Sequence, residues 1–502
     1  MLTAMLAQAA SVPHTMLAHA KAAVGGKAWD QVTTLEREYT DTGNNGQAHG
    51  TELLDLRTGH YTSALEAIPG FPFVSGWDGR QYWESQFGIS AVKPGMSGLS
   101  AAFRKCLGQW YARCGRATFQ SGGERLHAGQ RFDVVRVTPH GSAPFESWIN
   151  RRSGRIERVR FGSTLESLVE YADFRRVGRL WIAFEERYTL APGAPEIVTR
   201  LHRVRVNPTL PAHAFALPVD AAIEGLQDMP EGVSVDFENC ENHLCVKLDL
   251  NGQGPFRFIL DTGSANVLSP AAAARLDLVP RSQVLAQGLG DGRANGGVVK
   301  VARVEMGPLT QQQQTFFVVE LGYPGIDGLL GYGWLRQCVT RIDWAKQRLT
   351  FTPPSRFHYQ GTAGSTMLDF TGNTPRVEAR IDGQAGWFYL DTGDWSGVTL
   401  NANFARKSGL AGKYAGGEEI RYGSIGGEVR AQRSRADMLE LGGMRLAHPS
   451  LMLSQQSTDL LSAPGLAGNL GHGVLHRMNI VLDYPGHRAF FEPNEFTEEA
   501  EE

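Results

Sequence analysis

The chain contains no run of eighteen apolar residues, so its sequence offers no membrane-spanning helix. It also has little net charge. Its 49 Lys and Arg against 52 Asp and Glu leave −3, which provides no basic field to draw in nucleic acid. No phosphate-binding loop is present, and no Gly-x-Ser-x-Gly elbow in a strand–helix setting, which argues against the corresponding nucleotide and serine-hydrolase chemistries. His472 and His476 have the spacing of a zinc helix, but "HGVLH" lacks the glutamate of a metalloprotease. No metal and no cofactor is expected.

Cysteine is scarce, at five in 502 residues. Cys106/Cys114 and Cys240/Cys245 are two close pairs suited to local disulfides, which would agree with an oxidising compartment. His243 lies between the second pair and invites a zinc reading, but three candidate ligands without a fourth at a usual spacing make a poor site. Cys338, in "RQCVTRID", reads as a small buried hydrophobe. At the start, "MLTAMLAQAASVP" has a short apolar stretch ending in small residues but no positively charged lead. Two readings stay open for residues 1–15: the remnant of an export signal, which would place the protein in the periplasm or envelope, or an ordinary chain end entering a helix.

Glycine is abundant, at 59 residues, and the apolar residues fall mostly in short alternating runs. The expected fold class is therefore mainly β with many tight turns, in more than one domain given the length. Four prolines in "NPTLPAHAFALPVDAAIEGLQDMPEG" mark a linker, taken as 219–232. Before it, segments such as "VTTLEREYT", "RFDVVRVTP" and "FESWINRRSGRIERVRF" predict long antiparallel strands in a curved sheet or half-barrel over 16–218. "AKAAVGGKAWDQVTTL", "WINRRSGRIERV" and "YADFRRVGRLWIAFEE" followed by "VRVNPTLPAHAFALP" resemble the LolA-like lipoprotein-carrier fold. That resemblance implies contact with an envelope lipid or lipoprotein, although fold alone does not establish function.

The tripeptide Asp-Thr-Gly occurs at 41–43, 261–263 and 391–393. The first follows polar "EREYT" and precedes "NNG", a hairpin signal, and is read as a β-turn. The other two end apolar strands in a long internal repeat. "FRFILDTGSANVLSPAAAARLDL" matches "GWFYLDTGDWSGVTLNANFARKSGL", and "DGLLGYGWLRQCVTRIDWAKQRLTF" matches "AGNLGHGVLHRMNIVLDYPGHRAFF". The offset is 391 − 261 = 130 in the first pair and 471 − 331 = 140 in the second. A repeat of this length predicts two lobes of one fold, at 233–356 and 357–494, followed by an acidic tail at 495–502.

An apolar strand drives its terminal aspartate into a low dielectric, and the glycine allows a sharp turn there. Two such loops facing each other would bring two carboxylates into contact, where they share one proton. The ionised member can activate water while the protonated member polarises a carbonyl, a chemistry that needs neither metal nor covalent intermediate.

With these motifs, the region from 233 to 494 resembles a pepsin/retropepsin-like aspartic protease with both lobes in one chain. The resemblance implies an aspartic endopeptidase acting on peptide or protein substrates. It further implies that Asp261 and Asp391 are the catalytic pair and that Thr262 and Thr392 brace the two loops. On the same resemblance, Gly263, Ser264, Gly393 and Asp394 are expected to support the pair. The apolar-apolar-glycine element beneath each loop is matched by Leu329-Leu330-Gly331 and, less closely, by Asn469-Leu470-Gly471. Glycine-rich segments in the places of mobile flaps give Gly288, Gly290 and Gly292 in one lobe and Tyr422, Gly423 and Gly426 in the other.

Asp394 stands where the first lobe has Ser264. Pointing inward, it would favour retention of a proton; pointing outward, it would cap a turn. The alternative function is a non-catalytic envelope protein that holds peptide or lipid on a protease-like scaffold, a reading favoured by Asp394 and the imperfect "NLG". Because both lobes lie in one chain, dimerisation is not needed to assemble the pair.

Overall fold

The computed structural model describes residues 2–498 except 45, 93–116, 141–142, 162–165, 219–221, 230, 287–293, 372, 425–426 and 456–464. Cys106, Cys114 and the candidate flap residues Gly288, Gly290, Gly292 and Gly426 lie outside the described residues. The chain divides into two compact units, Met1–Asp220 and Ala221–Glu502.

The first unit is built on a thirteen-stranded antiparallel sheet. Six strands, from Thr34–Gly43 to Ile89–Val92, run outward as one meander, and seven, from Ala117–His127 to Ile197–Val206, return as another. The first and last of these strands pair, with Leu35 opposite Val206, which joins the two meanders into one sheet. The helix Leu2–Ala23 presents Leu17 and Ala20, three residues apart and therefore on one face, to Val135, Val137, Phe145 and Ile149. Among the described residues no helix is long and apolar enough to cross a membrane.

The first Asp-Thr-Gly corrects an expectation. It is not a turn but the end of the strand Thr34–Gly43, with Asp41 opposite both Ala48 and Thr199 and Gly43 opposite Gly46. The chain reverses only after Gly43, which pairs with Gly46, so the whole tripeptide stays within the ladder. The Asp41 carboxylate accepts a 2.5 Å hydrogen bond from the Thr199 hydroxyl. This aspartate is therefore occupied within its own sheet.

In the second unit, an eight-stranded sheet belongs to the first half of the repeat and a ten-stranded sheet to the second. A six-stranded sheet takes strands from both: Val233–Asp236, Val339–Asp343 and Arg348–Thr352 from one, Thr366–Met367, Met478–Asp483 and Arg488–Pro493 from the other. At its centre Val339–Asp343 pairs antiparallel with Met478–Asp483, placing Arg341 opposite Val481. Since 481 − 341 = 140, Arg341 faces its own repeat equivalent, and Thr340–Leu482 exchanges with Ile342–Ile480 across it. The sequence repeat is thus realised as a pseudo-twofold axis through this pair. One continuous hydrophobic cluster, including Phe256, Trp334, Phe351, Phe388 and Phe491, underlies both halves.

Each half then repeats one local arrangement. Gln253–Leu260 runs parallel to Gly328–Leu330, which is antiparallel to Val267–Leu268. Gln384–Leu390 runs parallel to Leu466–Leu470, which is antiparallel to Val398–Leu400. Phe258, Ile259 and Leu260 are all buried, as is usual for a strand covered on both faces, and this strand delivers Asp261. Cys240 and Cys245 are disulfide-bonded, and Cys338 is a free, fully buried thiol in the shared core, as read from the sequence.

Candidate active site

Asp261 and Asp391 follow directly from their strands, and their backbones are held alike. Asp261 N–H donates to Leu330 O at 2.9 Å and Asp391 N–H to Leu470 O at 3.0 Å. Each carboxylate accepts the N–H of the glycine two residues on, from Gly263 at 2.7 Å and from Gly393 at 3.0 Å. Each also lies over the opposite loop. A Cβ on Gly263 would come within 2.8 Å of the Asp391 carboxyl, and one on Gly393 within 2.4 Å of the Asp261 carboxyl. Only residues lacking a side chain allow this approach.

The threonines lock the two loops together. Thr262 N–H donates to Thr392 Oγ1 at 3.1 Å and Thr392 N–H to Thr262 Oγ1 at 3.0 Å. Their hydroxyls donate across as well, Thr262 to Leu390 O at 2.7 Å and Thr392 to Leu260 O at 2.6 Å. All four bonds are buried. Replacing Thr262 with alanine would orphan the Leu390 carbonyl and the Thr392 N–H, so Thr262→Ala is expected to destabilise the protein by about 1–3 kcal/mol. Urea unfolding checks this; an unchanged midpoint would contradict the brace.

The carboxylates titrate as a pair. Burial pushes Asp261 up, while the Gly263 N–H, the Ser264 hydroxyl, a hydrogen bond with Asp391 and the charge of His243 pull it back. The Ser264 hydroxyl is buried but outside good hydrogen-bonding geometry, so its effect on Asp261 is the weaker support. Burial pushes Asp391 well above the carboxylate range, and the charges of Asp261 and Asp394 push it further; Asn469 and the Gly393 N–H only partly oppose them. The pair therefore holds a proton more readily than an isolated carboxylate does, and the Asp391 side is pushed up the more strongly.

Asp394 points inward. Its Oδ1 accepts the Ser396 N–H at 2.8 Å, and its Oδ2 accepts the Asn469 amide at 2.7 Å. The same amide reaches Asp391 Oδ2 at 3.1 Å. Sequence reasoning missed this role for Asn469; the available signal was its departure from Leu329 in the repeat. It also missed Tyr323, whose hydroxyl is held protonated by burial and by the charges of Asp261, Asp394 and Asp391. His243, considered as a zinc ligand, packs edge-on against Tyr323 beside the Cys240–Cys245 bond.

His472 and His476 occupy one helical turn, with rings stacked at 5.1 Å, and burial followed by neighbouring His476 and His243 pushes His472 down to about 3. A cavity of about 820 Å³ is lined by Trp395, Ser396, Arg433, Arg435, His472 and His476, and by neither Asp261 nor Asp391. The flap candidates Tyr422 and Gly423 lie in the strand Glu418–Ser424, opposite Val429 and Glu428 of a hairpin. In the first half the strands Arg281–Ala286 and Ala294–Met306, which flank the other candidate flap, also pair as a hairpin.

No curated protein matches the chain. Among solved structures, the chain is similar to an aspartic proteinase from Irpex lacteus at 17% identity and TM-score 0.36, over 53% of this chain and 98% of that one. It is also similar to a LolA superfamily protein from Nitrosomonas europaea at 12% identity and TM-score 0.31, over 41% of this chain and 97% of that one. The family model described as aspartyl protease matches residues 246–334 and 377–475. The second unit thus resembles an aspartyl protease in two consecutive halves, one carrying Asp261 and the other Asp391.

Proposed function

We propose that the protein is an aspartic endopeptidase in which Asp261 and Asp391 activate water against a peptide bond. The observation that carries this reading is the mirrored placement of the two carboxylates, each over the opposite loop's glycine and each accepting its own loop's glycine N–H. In the first step water attacks the peptide carbonyl carbon, its proton passes to Asp261, and the Asp391 proton is given to the carbonyl oxygen. In the second step the carbon–nitrogen bond breaks, Asp261 returns its proton to the leaving amine, and a hydroxyl of the diol returns a proton to Asp391. The loops need no reorganisation to do this, because the four threonine hydrogen bonds fix them beforehand.

A peptide mimic with a secondary hydroxyl in place of the scissile carbonyl tests the arrangement, since it imitates the diol. Calorimetry is expected to show binding to the native protein at least about 10²-fold tighter than to Asp391→Asn. Equal affinities would count against the reading. We also propose that the protein works outside the cytoplasm, a placement supported by the Cys240–Cys245 bond, and that the first unit contacts an envelope lipid or lipoprotein. The strand pairs Arg281–Ala286 with Ala294–Met306 and Glu418–Ser424 with Gly427–Arg435 are proposed as the stems of flaps over the substrate.

A further inference from the structure

We propose that Asp394 and Asn469 are joint positioning residues for Asp391, the amide clamping both carboxylates so that a third acid joins the pair and extends its working range on the alkaline side. This rests on the proteolytic reading above. In the first half the equivalent positions are Ser264 (394 − 130) and Leu329 (469 − 140), which carry no acid and no amide. Both departures lie in the second half, 75 residues apart, and they meet at a 2.7 Å hydrogen bond. Their burial makes them interdependent: Asp394 is 6% exposed and Asn469 1%.

The geometry leaves little choice about what each does. The two hydrogens of the Asn469 amide serve Asp391 and Asp394 separately, and Oδ2 of each carboxylate is the acceptor. A leucine at 469 would leave Asp394 buried with only the Ser396 group beside it. A serine at 394 would remove the amide's nearer acceptor. Two carboxylates in contact retain one proton because both cannot ionise, and a third within the same cluster makes loss of that proton harder still. Among the described residues, the other titratable groups coupled to this cluster are His243 from the disulfide loop, Tyr323 from the segment before Gly328–Leu330 and Tyr484 in the turn after Met478–Asp483; His472 meets it through its backbone N–H, which donates to Asp394 O at 2.7 Å. Of these, only the charge of His243 opposes the carboxylates.

The test combines three readouts on the full chain: kcat/KM against pH on a cleaved peptide, the carboxyl-carbon NMR titration of Asp391, and thermal stability. Asp394→Asn is expected to move the alkaline limb and the Asp391 titration down by about one pH unit or more. Asn469→Leu alone is expected to lower kcat with little change in KM and to lower stability. Adding Asp394→Ser should then restore most of both, with the alkaline limb left low. The proposal is overturned if Asp394→Asn leaves the Asp391 titration in place, or if the double variant is no better than Asn469→Leu. Should the native protein cleave no peptide, the proteolytic reading fails, yet the NMR titration and the stability cycle still decide this proposal.

Discussion

Asparagine at position 261 or 391 is expected to lower kcat/KM by about 10²–10⁴-fold or to below detection, because either change removes a proton carrier from the pair. The effect on stability should be opposite in kind. Burial and neighbouring charges raise Asp391 in the folded state. The native carboxyl therefore contributes stability below its unfolded pKa of about 3.9 and loses that contribution as pH rises through the higher folded value. Asp391→Asn cannot ionise, so it should be at least as stable as the native protein at neutral pH, with the difference closing in acid. An inactive variant of equal or higher melting temperature identifies lost chemistry; an active one contradicts the assignment.

Alanine at Gly393 should lower activity sharply without replacing any ionisable group. Its Cβ would lie 2.4 Å from both Cγ and Oδ2 of Asp261, closer than any atoms tolerate, so the carboxylate must move. A displacement near 1 Å in a positioned group costs about 10²-fold in rate, and both kcat and affinity for the hydroxyl-bearing mimic should fall by about that factor or more. Gly393 is not among the glycines with positive φ, so backbone strain adds nothing to this expectation. Gly263→Ala, whose Cβ would meet Asp391 at 2.8 Å, should be the milder of the two. Retention of full activity in Gly393→Ala would show that the loops are further apart than described.

The two halves of the second unit were legible because hydrophobic pattern and motif spacing survive divergence. A constant offset of 140 between Gly331 and Gly471 and between Asp343 and Asp483 anticipates the ladder in which Arg341 faces Val481. Asp261, Asp391 and the threonines could be named for the same reason: each follows an apolar strand within the repeat. The first Asp-Thr-Gly was misread locally, since turn-forming residues do not reveal which of several neighbours actually turn; pairing of Asp41 with Thr199, 158 positions away, decided that. Asn469 was visible only as an imperfect match. Its meaning depends on a contact with Asp394 across 75 residues, which no local pattern encodes. The same departures that favoured a non-catalytic scaffold prove to be partners in one hydrogen-bonded cluster with Asp391.

The central claim is most directly tested by cleavage of a diverse peptide library from acid to neutral pH, with the native protein and Asp261→Asn side by side. Cleavage by the native protein that vanishes in the variant is the expected result, and the cut sites would give the substrate preference. Equal cleavage by both, or none by the folded native protein at any pH, would contradict it.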